Sequence, residues 1–255
     1  MADKVKRLGV KPTSAMAPAD GDGRANENRI LAGLPKRERA RLLAQSEFVK
    51  LPARTILGEM GRAIEFGYFL NSGVVSIIRL MTDGKSVEVG LTGREGFVGL
   101  PLIVGYTTSP TRAIIQIEAA GYKIGAQDLK KALAISPTLR ESLQRYSQDL
   151  SVQAIQIAAC NRLHEVDERL ARWLLMSQDR VGKSTFTLTQ EFISHMLGTR
   201  RASVTVAAGI LQKAGLITYS RGQVSIENRE GLESAACECY KGINQQIERW
   251  HRDSQ

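Results

Sequence analysis

The chain holds 255 residues, 43% of them hydrophobic and 24% charged, with a formal net charge of +9. That is apolar material for a full core in each of two domains, and no stretch approaches the 18 or so uninterrupted apolar residues of a membrane span. The amino end, Met-Ala-Asp-Lys-Val-Lys-Arg, lacks the apolar centre of a secretory signal, so a cytoplasmic location is expected and a membrane partner is not.

Residues 1–27 contain Pro12, Pro18, Gly21 and Gly23 without a periodic apolar pattern and read as a disordered tail. Residues 1–50 also carry 11 basic and 6 acidic side chains, so most of the charge excess lies away from the carboxy-terminal half. Bulk charge therefore supports a nucleic-acid partner only weakly. A short helix is expected over Glu27 to Ser46, with Ile30, Leu31, Leu34, Leu42 and Leu43 as its apolar contacts.

From Phe48 to Ile124 the pattern changes. Runs such as Val74-Val-Ser-Ile-Ile and Ile114-Ile-Gln-Ile are punctuated by Asn71-Ser-Gly, Asp83-Gly84, Gly93 and Gly121, which are turn chemistries at short intervals. They predict a small antiparallel barrel or roll, within a domain spanning 28–135.

A long helical pattern begins near Pro137, a natural first-turn residue. Leu139, Leu143, Tyr146, Leu150, Gln153, Ile157 and Cys160 recur at spacings of 4 and 3, a heptad seam, while Arg140, Gln144, Arg145, Gln148, Asp149 and Gln156 keep other faces polar. Such a seam generally meets its own copy. Residues 136–163 are accordingly expected to form a dimerisation helix, with Leu143, Tyr146, Leu150 and Ile157 at the interface of a homodimer. The other reading is a helix lying on the roll of a monomer.

The remaining domain, 164–255, holds the most specific motif. Thr189 to Ile217 reads as two short helices hinged at Gly198, with Thr189 as N-cap and Glu191 in the first turn, where the helix dipole favours negative charge. The first helix is expected to end near Leu197, and Thr199 or Arg200 to open the second. There Val204, Ala208 and Leu211 form the inner stripe, and Arg201, Ala202, Thr205, Val206 and Gly209 the outer face. From Phe192 to Ile226 there is no Asp or Glu, whereas Arg200, Arg201, Lys213 and Arg221 are cationic, so no carboxylate repels a phosphate backbone. Leu216 to Ser220, the Arg221-Gly222 turn and Gln223 to Glu227 predict a hairpin, and a helix pair followed by a hairpin is a winged helix. A helix pair packed in a core, its missing acids due to chance, is the bland alternative.

Leu-Gly-Thr-Arg-Arg-Ala-Ser-Val (197–204), followed by Leu211 and Leu216-Ile217, resembles the DNA-binding end of the Crp/Fnr transcriptional regulators. The likeness extends over about 28–240 and implies an α+β fold: an N-terminal antiparallel β-roll of cyclic-nucleotide-binding type, a long dimerisation helix and a C-terminal winged helix-turn-helix. It implies a sequence-specific regulator that binds a palindromic operator in double-stranded DNA as a homodimer and works with RNA polymerase. The DNA-binding set it points to is Thr189, Arg200, Arg201, Ala202, Ser203, Val206 and Arg221, with Arg201 in the place of a guanine-reading arginine and Ser203 in that of a phosphate-contacting hydroxyl. Where cyclic-AMP-binding members carry a glutamate and a second arginine, this chain has Ala202 and Val206, side chains suited to thymine methyls.

The same resemblance places an effector pocket at Gly99, Leu100, Thr111, Arg112, Ala154 and Ile155. Gly99 matches the family's phosphate cassette. Leu100 replaces its ribose-binding glutamate, Arg112 is one position away from its phosphate arginine, and Ala154 and Ile155 stand where polar effector contacts belong. Cyclic AMP is therefore not expected to bind, and an unidentified small-molecule effector stays open beside a cassette that is only a packed turn.

The cysteines at 160, 237 and 239 and the histidines at 164, 195 and 251 all lie outside the roll, so no metal ligand or cofactor is assigned in the sensor domain or elsewhere. Cys237-Glu-Cys239 could bind a soft metal or oxidise, and Cys160 could respond to redox state, but an inert role is the expectation for all three. Gly182-Lys-Ser184 resembles the end of a phosphate-binding loop, but Ser177 stands where its first glycine belongs. No catalytic residue is assigned. The alternative to a DNA-binding regulator is an effector-binding module that acts through a protein partner.

Overall fold

The computed structural model describes residues 27–253, so the expected disordered tail lies outside the described residues apart from Glu27. The expected helix over Glu27 to Ser46 is two helices, α1 (Arg29–Gly33) and α2 (Lys36–Leu43). Pro35 divides them: it removes an N–H and pushes Leu34 into extended backbone (φ −76°, ψ 146°), so one helix ends and the next begins at the proline. Asn28 caps α1 with its Oδ1 and is fully buried, its Nδ2 donating to the carbonyls of Leu70 and Gly96 at 3.0 and 2.8 Å.

The roll is one antiparallel sheet. Strand β1 (Ser46–Leu51) pairs with β6 (Arg112–Gly125), β6 with β3 (Phe66–Leu80) and β3 with β4 (Ser86–Thr92). The short β2 (Ile56–Gly58) joins β6, and β5 (Phe97–Val98) joins β3. Asp83-Gly84 makes the expected turn between β3 and β4, the Lys85 N–H bonding Asp83 Oδ1 at 3.1 Å. Asn71-Ser-Gly does not turn the chain. It lies inside the 15-residue β3, where Gly73 (φ +80°) accommodates a run of register shifts against β6. Gly121 likewise lies within β6, and a Cβ there would stand 2.2 Å from the Phe69 carbonyl oxygen, so it permits close strand approach.

Helix α3 (Ala126–Ile135) leads to α4 (Pro137–Leu163), capped by the Ser136 hydroxyl. The remaining elements are α5 (Val166–Val181), β7 (Thr185–Thr187), α6 (Gln190–Leu197), α7 (Arg201–Lys213), β8 (Ile217–Ser220), β9 (Gln223–Ile226), α8 (Arg229–Ala235) and α9 (Cys239–Asp253). The largest core joins the two halves. Val74, Ile78 and Leu91 of the roll pack with Leu170, Trp173 and Leu174 of α5 and with the inner faces of α6 and α7. Polar contacts tie the same boundary: Trp173 Nε1 donates to Glu88 Oε1 at 3.1 Å, and Arg180 Nε lies 2.7 Å from Glu95 Oε1. Among the described residues no helix is long and apolar enough to cross a membrane.

Candidate nucleic-acid interface

The carboxy-terminal half builds an exposed reading face from local chemistry. The Thr189 hydroxyl accepts the Phe192 N–H at 3.2 Å, closing the first turn of α6. At the other end Gly198 takes φ +59°, and the Thr199 N–H bonds the Ser194 carbonyl at 3.0 Å. A left-handed residue there stops α6 and redirects the chain within three residues, which suits glycine. Thr199 does not open the next helix: Arg200 is the N-cap of α7, without a side-chain cap bond.

Val204, Ala208 and Leu211 are 0%, 3% and 2% exposed, and Ala207 is buried beside them. Arg201, Ala202, Thr205 and Val206 are exposed, and Ser203 and Gly209 half-buried. Two contributors were missed in the sequence. Ile210, 47% exposed, extends the apolar outer face one turn beyond Val206, a spacing of four that was there to be read. Gln190 reaches across from α6 and accepts the Thr205 hydroxyl at 3.0 Å, a contact between helices that no local pattern encodes.

The wing stands beside this face. Arg221 and Gly222 both have positive φ (50° and 77°), the conformation of a tight two-residue hairpin, with β9 paired to β8 and β7 on its two sides. Tyr219 OH donates to the Leu188 carbonyl at 2.8 Å, anchoring the wing to the chain just before α6. Burial pushes the Tyr219 hydroxyl up, and the charge of Arg201 pulls it back, so the wing and the start of α7 are electrostatic neighbours. The face thus carries Arg200 and Arg201 at the helix entry, small and apolar groups along it, and Arg221 at the wing tip. That is a set able to contact phosphates at its edges and base edges between them.

The expected effector residues do not converge. Leu100 follows Gly99 (φ +115°) into a short 3₁₀ turn and packs with the cluster of Phe69, Phe97 and Leu129. Arg112 is held by Glu59, with Nη2 2.8 Å from Oε2, and its guanidinium keeps the Glu59 carboxyl below the ordinary range. Its charge is therefore satisfied within the chain. The Thr111 carbonyl accepts the Ser109 hydroxyl, Ala154 is half-buried, and Ile155 is 70% exposed on the outside of α4. None of the six lines the cleft of about 790 Å³ that opens between α1, α4, α5 and α9, where Arg29, Arg94, Arg145 and Arg180 face Glu95 and Asp149.

The expected dimer seam is also turned elsewhere. Leu143, Tyr146 and Ile157 are 0%, 5% and 4% exposed within the single chain. Tyr146 OH bonds Thr92 Oγ1 at 2.8 Å, and the buried Gln153 amide engages both backbone groups of Leu91. Leu150 is half-buried, its side chain in the space above Gly90. The heptad records α4 lying on its own roll and on α9. Its outward stripe is Gln144, Gln148, Ser151, Ile155, Ala158 and Arg162, all exposed.

Residues 168–235 match the model of the Crp-like helix-turn-helix domain. No curated protein is matched by the sequence. The fold is similar to that of FixK2 from Bradyrhizobium japonicum, at 18% identity over 75% of this chain and 98% of that one, TM-score 0.64. It is similar to that of CLP, a c-di-GMP responsive global regulator from Xanthomonas campestris, at 19% identity over 75% and 99%, TM-score 0.63. A Crp-family transcriptional regulator from Thermus thermophilus gives 18% identity over 74% and 96%, TM-score 0.63. Residues 168–235 thus match a Crp-like helix-turn-helix domain, and about three quarters of the chain shares the fold of these solved regulators.

Proposed function

We propose that the chain is a sequence-specific DNA-binding transcriptional regulator that acts as a homodimer in the cytoplasm, without catalysis and without dependence on cyclic AMP. The observation that carries this reading is the exposed outer face of α7, free of carboxylates over 192–226 and flanked by Arg201 and the wing Arg221. Arg201 reads a purine in the major groove; Ala202, Val206 and Ile210 meet thymine methyls; Thr189, Arg200, Ser203 and Arg221 hold the phosphate backbone.

The homodimer interface is assigned to the outward stripe of α4, where Ile155 and Leu163 are 70% and 73% exposed and Ser151, Ala158 and Ala159 are small enough for close helix approach. A second copy on this stripe leaves the inward seam undisturbed. RNA polymerase is the partner expected of a bound regulator. The reading places any small effector in the cleft between α1, α4, α5 and α9, because a molecule there touches the roll, the long helix and the DNA-binding half together. It would act by binding one arrangement of these parts more tightly than another.

A mobility-shift assay against a pool of random duplexes tests the central point. Retention of a sequence subset, weakened steeply by salt and unchanged by millimolar cyclic AMP, is the expected result. Retention of none would leave the chain as a module that acts through a protein partner.

A further inference from the structure

Two pairs of residues remote from each other in sequence, Cys160 with His164 and Cys237 with Cys239, meet at one point of the fold. Cys160 lies on the inward side of the last turn of α4, and His164 is the residue that ends that helix. Cys237 precedes α9, and Cys239 is its first residue. The three thiols are 0%, 4% and 0% exposed. One ligand atom from each of Cys160, His164, Cys237 and Cys239 lies within 4.8 Å of all the others. Cys160 Sγ is 3.5 Å from Cys237 Sγ, and Cys239 Sγ is 3.5 Å from His164 Nδ1.

The two 3.5 Å separations are those of ligands around one ion. A tetrahedral zinc with bonds of about 2.3 Å to sulfur and 2.0 Å to nitrogen holds its ligand atoms roughly 3.5 to 3.8 Å apart. An iron–sulfur cluster hangs its thiolates from different irons and spreads them more widely. We propose that Cys160, His164, Cys237 and Cys239 form a closed four-ligand site for a single soft divalent cation, zinc by preference.

The surroundings complete the site. His164 Nε2 is 3.0 Å from Glu238 Oε2, so the outer nitrogen donates to a carboxylate and the lone pair of Nδ1 faces the thiols. That is the carboxylate–histidine–metal arrangement, with Glu238 supplied by the middle of the Cys-x-Cys triplet. Gln156 Nε2 donates to Cys239 Sγ at 3.1 Å, steadying it as a thiolate. Three thiolates and one divalent ion leave one net negative charge. Arg169 and Arg172, 6% and 2% exposed and each with an unpaired Nε, supply the compensating positive charge. Each thiol that binds loses its proton to solvent, so acid opposes occupancy. The ion joins the end of α4 to the start of α9 and so fixes how the last helix meets the long one.

The test is a titration of reduced, metal-stripped full-length protein with cobalt(II) under nitrogen. The visible bands of tetrahedral cobalt and a near-ultraviolet thiolate charge-transfer band should saturate at one equivalent per chain and bleach on adding zinc. Cys239→Ser should abolish or blue-shift the charge-transfer band. The carboxylate of Glu238 is largely exposed, so Glu238→Gln keeps the fold; it should keep the band and weaken cobalt binding about 10- to 100-fold. Absence of tetrahedral bands in the wild type would overturn the proposal. So would a spectrum unchanged in both Cys160→Ser and Cys239→Ser, or a Cys160–Cys237 disulfide in protein handled without oxygen.

Discussion

Arg201 and Arg221 are both exposed cations on one side of the winged helix, yet their loss is expected to read out differently. On the proposed reading Arg201→Ala takes away a bidentate base contact and should cost about 1–3 kcal/mol of specific binding, relaxing preference at one base pair per half-site. Arg221→Asn keeps a residue that tolerates the positive φ of the wing turn and removes only charge, so it should weaken all sequences alike and reduce the salt slope by about 1. Equal loss of specificity from both, in competition assays, would reverse these roles. A third residue sets a pH response. Burial pushes the Glu88 carboxyl from 4.5 up to about 7, and its Oε2 has no hydrogen-bond partner. A raised carboxyl pKa means that the folded chain keeps a proton which the unfolded chain has lost. Stability therefore falls as pH rises from about 4.5 to about 7. Glu88→Gln retains an acceptor for Trp173 Nε1 and should remove that slope, stabilising the protein by on the order of 2–3 kcal/mol at about pH 8. Urea unfolding at two pH values checks this; an unchanged slope would contradict it. At this scale the sequence made legible what is local: the Thr189 cap, the Gly198 turn, the outer positions of α7. It hid what converges from a distance. Cys160 and His164 stand four apart at the end of one helix and Cys237-Glu-Cys239 is a ligand-like triplet, but only the packing of α9 on α4 brings them together.

At the scale of the element, α4 shows why a period specifies a face and not its partner. Leu143, Tyr146 and Ile157 recur as a coiled-coil seam does, because a helix lying on a sheet buries the same narrow stripe. Only polar detail separates the two cases. Tyr146 and Gln153 carry groups that bond Thr92 and Leu91, partners a symmetrical apolar seam would not supply. Two substitutions distinguish the faces. Ile155→Lys, on the outward stripe, should leave the folded monomer intact while shifting sedimentation from dimer to monomer and lowering operator affinity with it. Leu143→Lys, wholly buried within the chain, should destabilise the fold itself by about 3 kcal/mol or more. A dimer surviving Ile155→Lys would remove the stripe from the interface. Helix α1 and strand β3 make the complementary point. Pro35 was visible as a helix breaker within the span taken for one helix, whereas Asn71-Ser-Gly carries turn chemistry that β3 absorbs as an irregularity because β6 pairs with it on both sides.

Over the whole molecule, the roll and the winged helix share one apolar core and are pinned by Trp173 to Glu88 and by Arg180 to Glu95. The position of α7 is therefore set by packing between the halves. The order of roll, long helix and winged helix was legible because each has its own period and turn chemistry. The contact of α5 with β3 and β4 was not, since it joins residues some 80 positions apart, as in the pair of Glu88 and Trp173. The central claim is that two copies of α7 read one DNA site. Selecting bound fragments from the organism's own genome with full-length protein and footprinting the enriched sequence tests it most directly. The account predicts a near-palindromic site with two protected half-sites about one DNA turn, roughly 34 Å, apart, and a preference that relaxes symmetrically in both half-sites with Arg201→Ala. No enriched sequence, or a single asymmetric protected half-site, would contradict it.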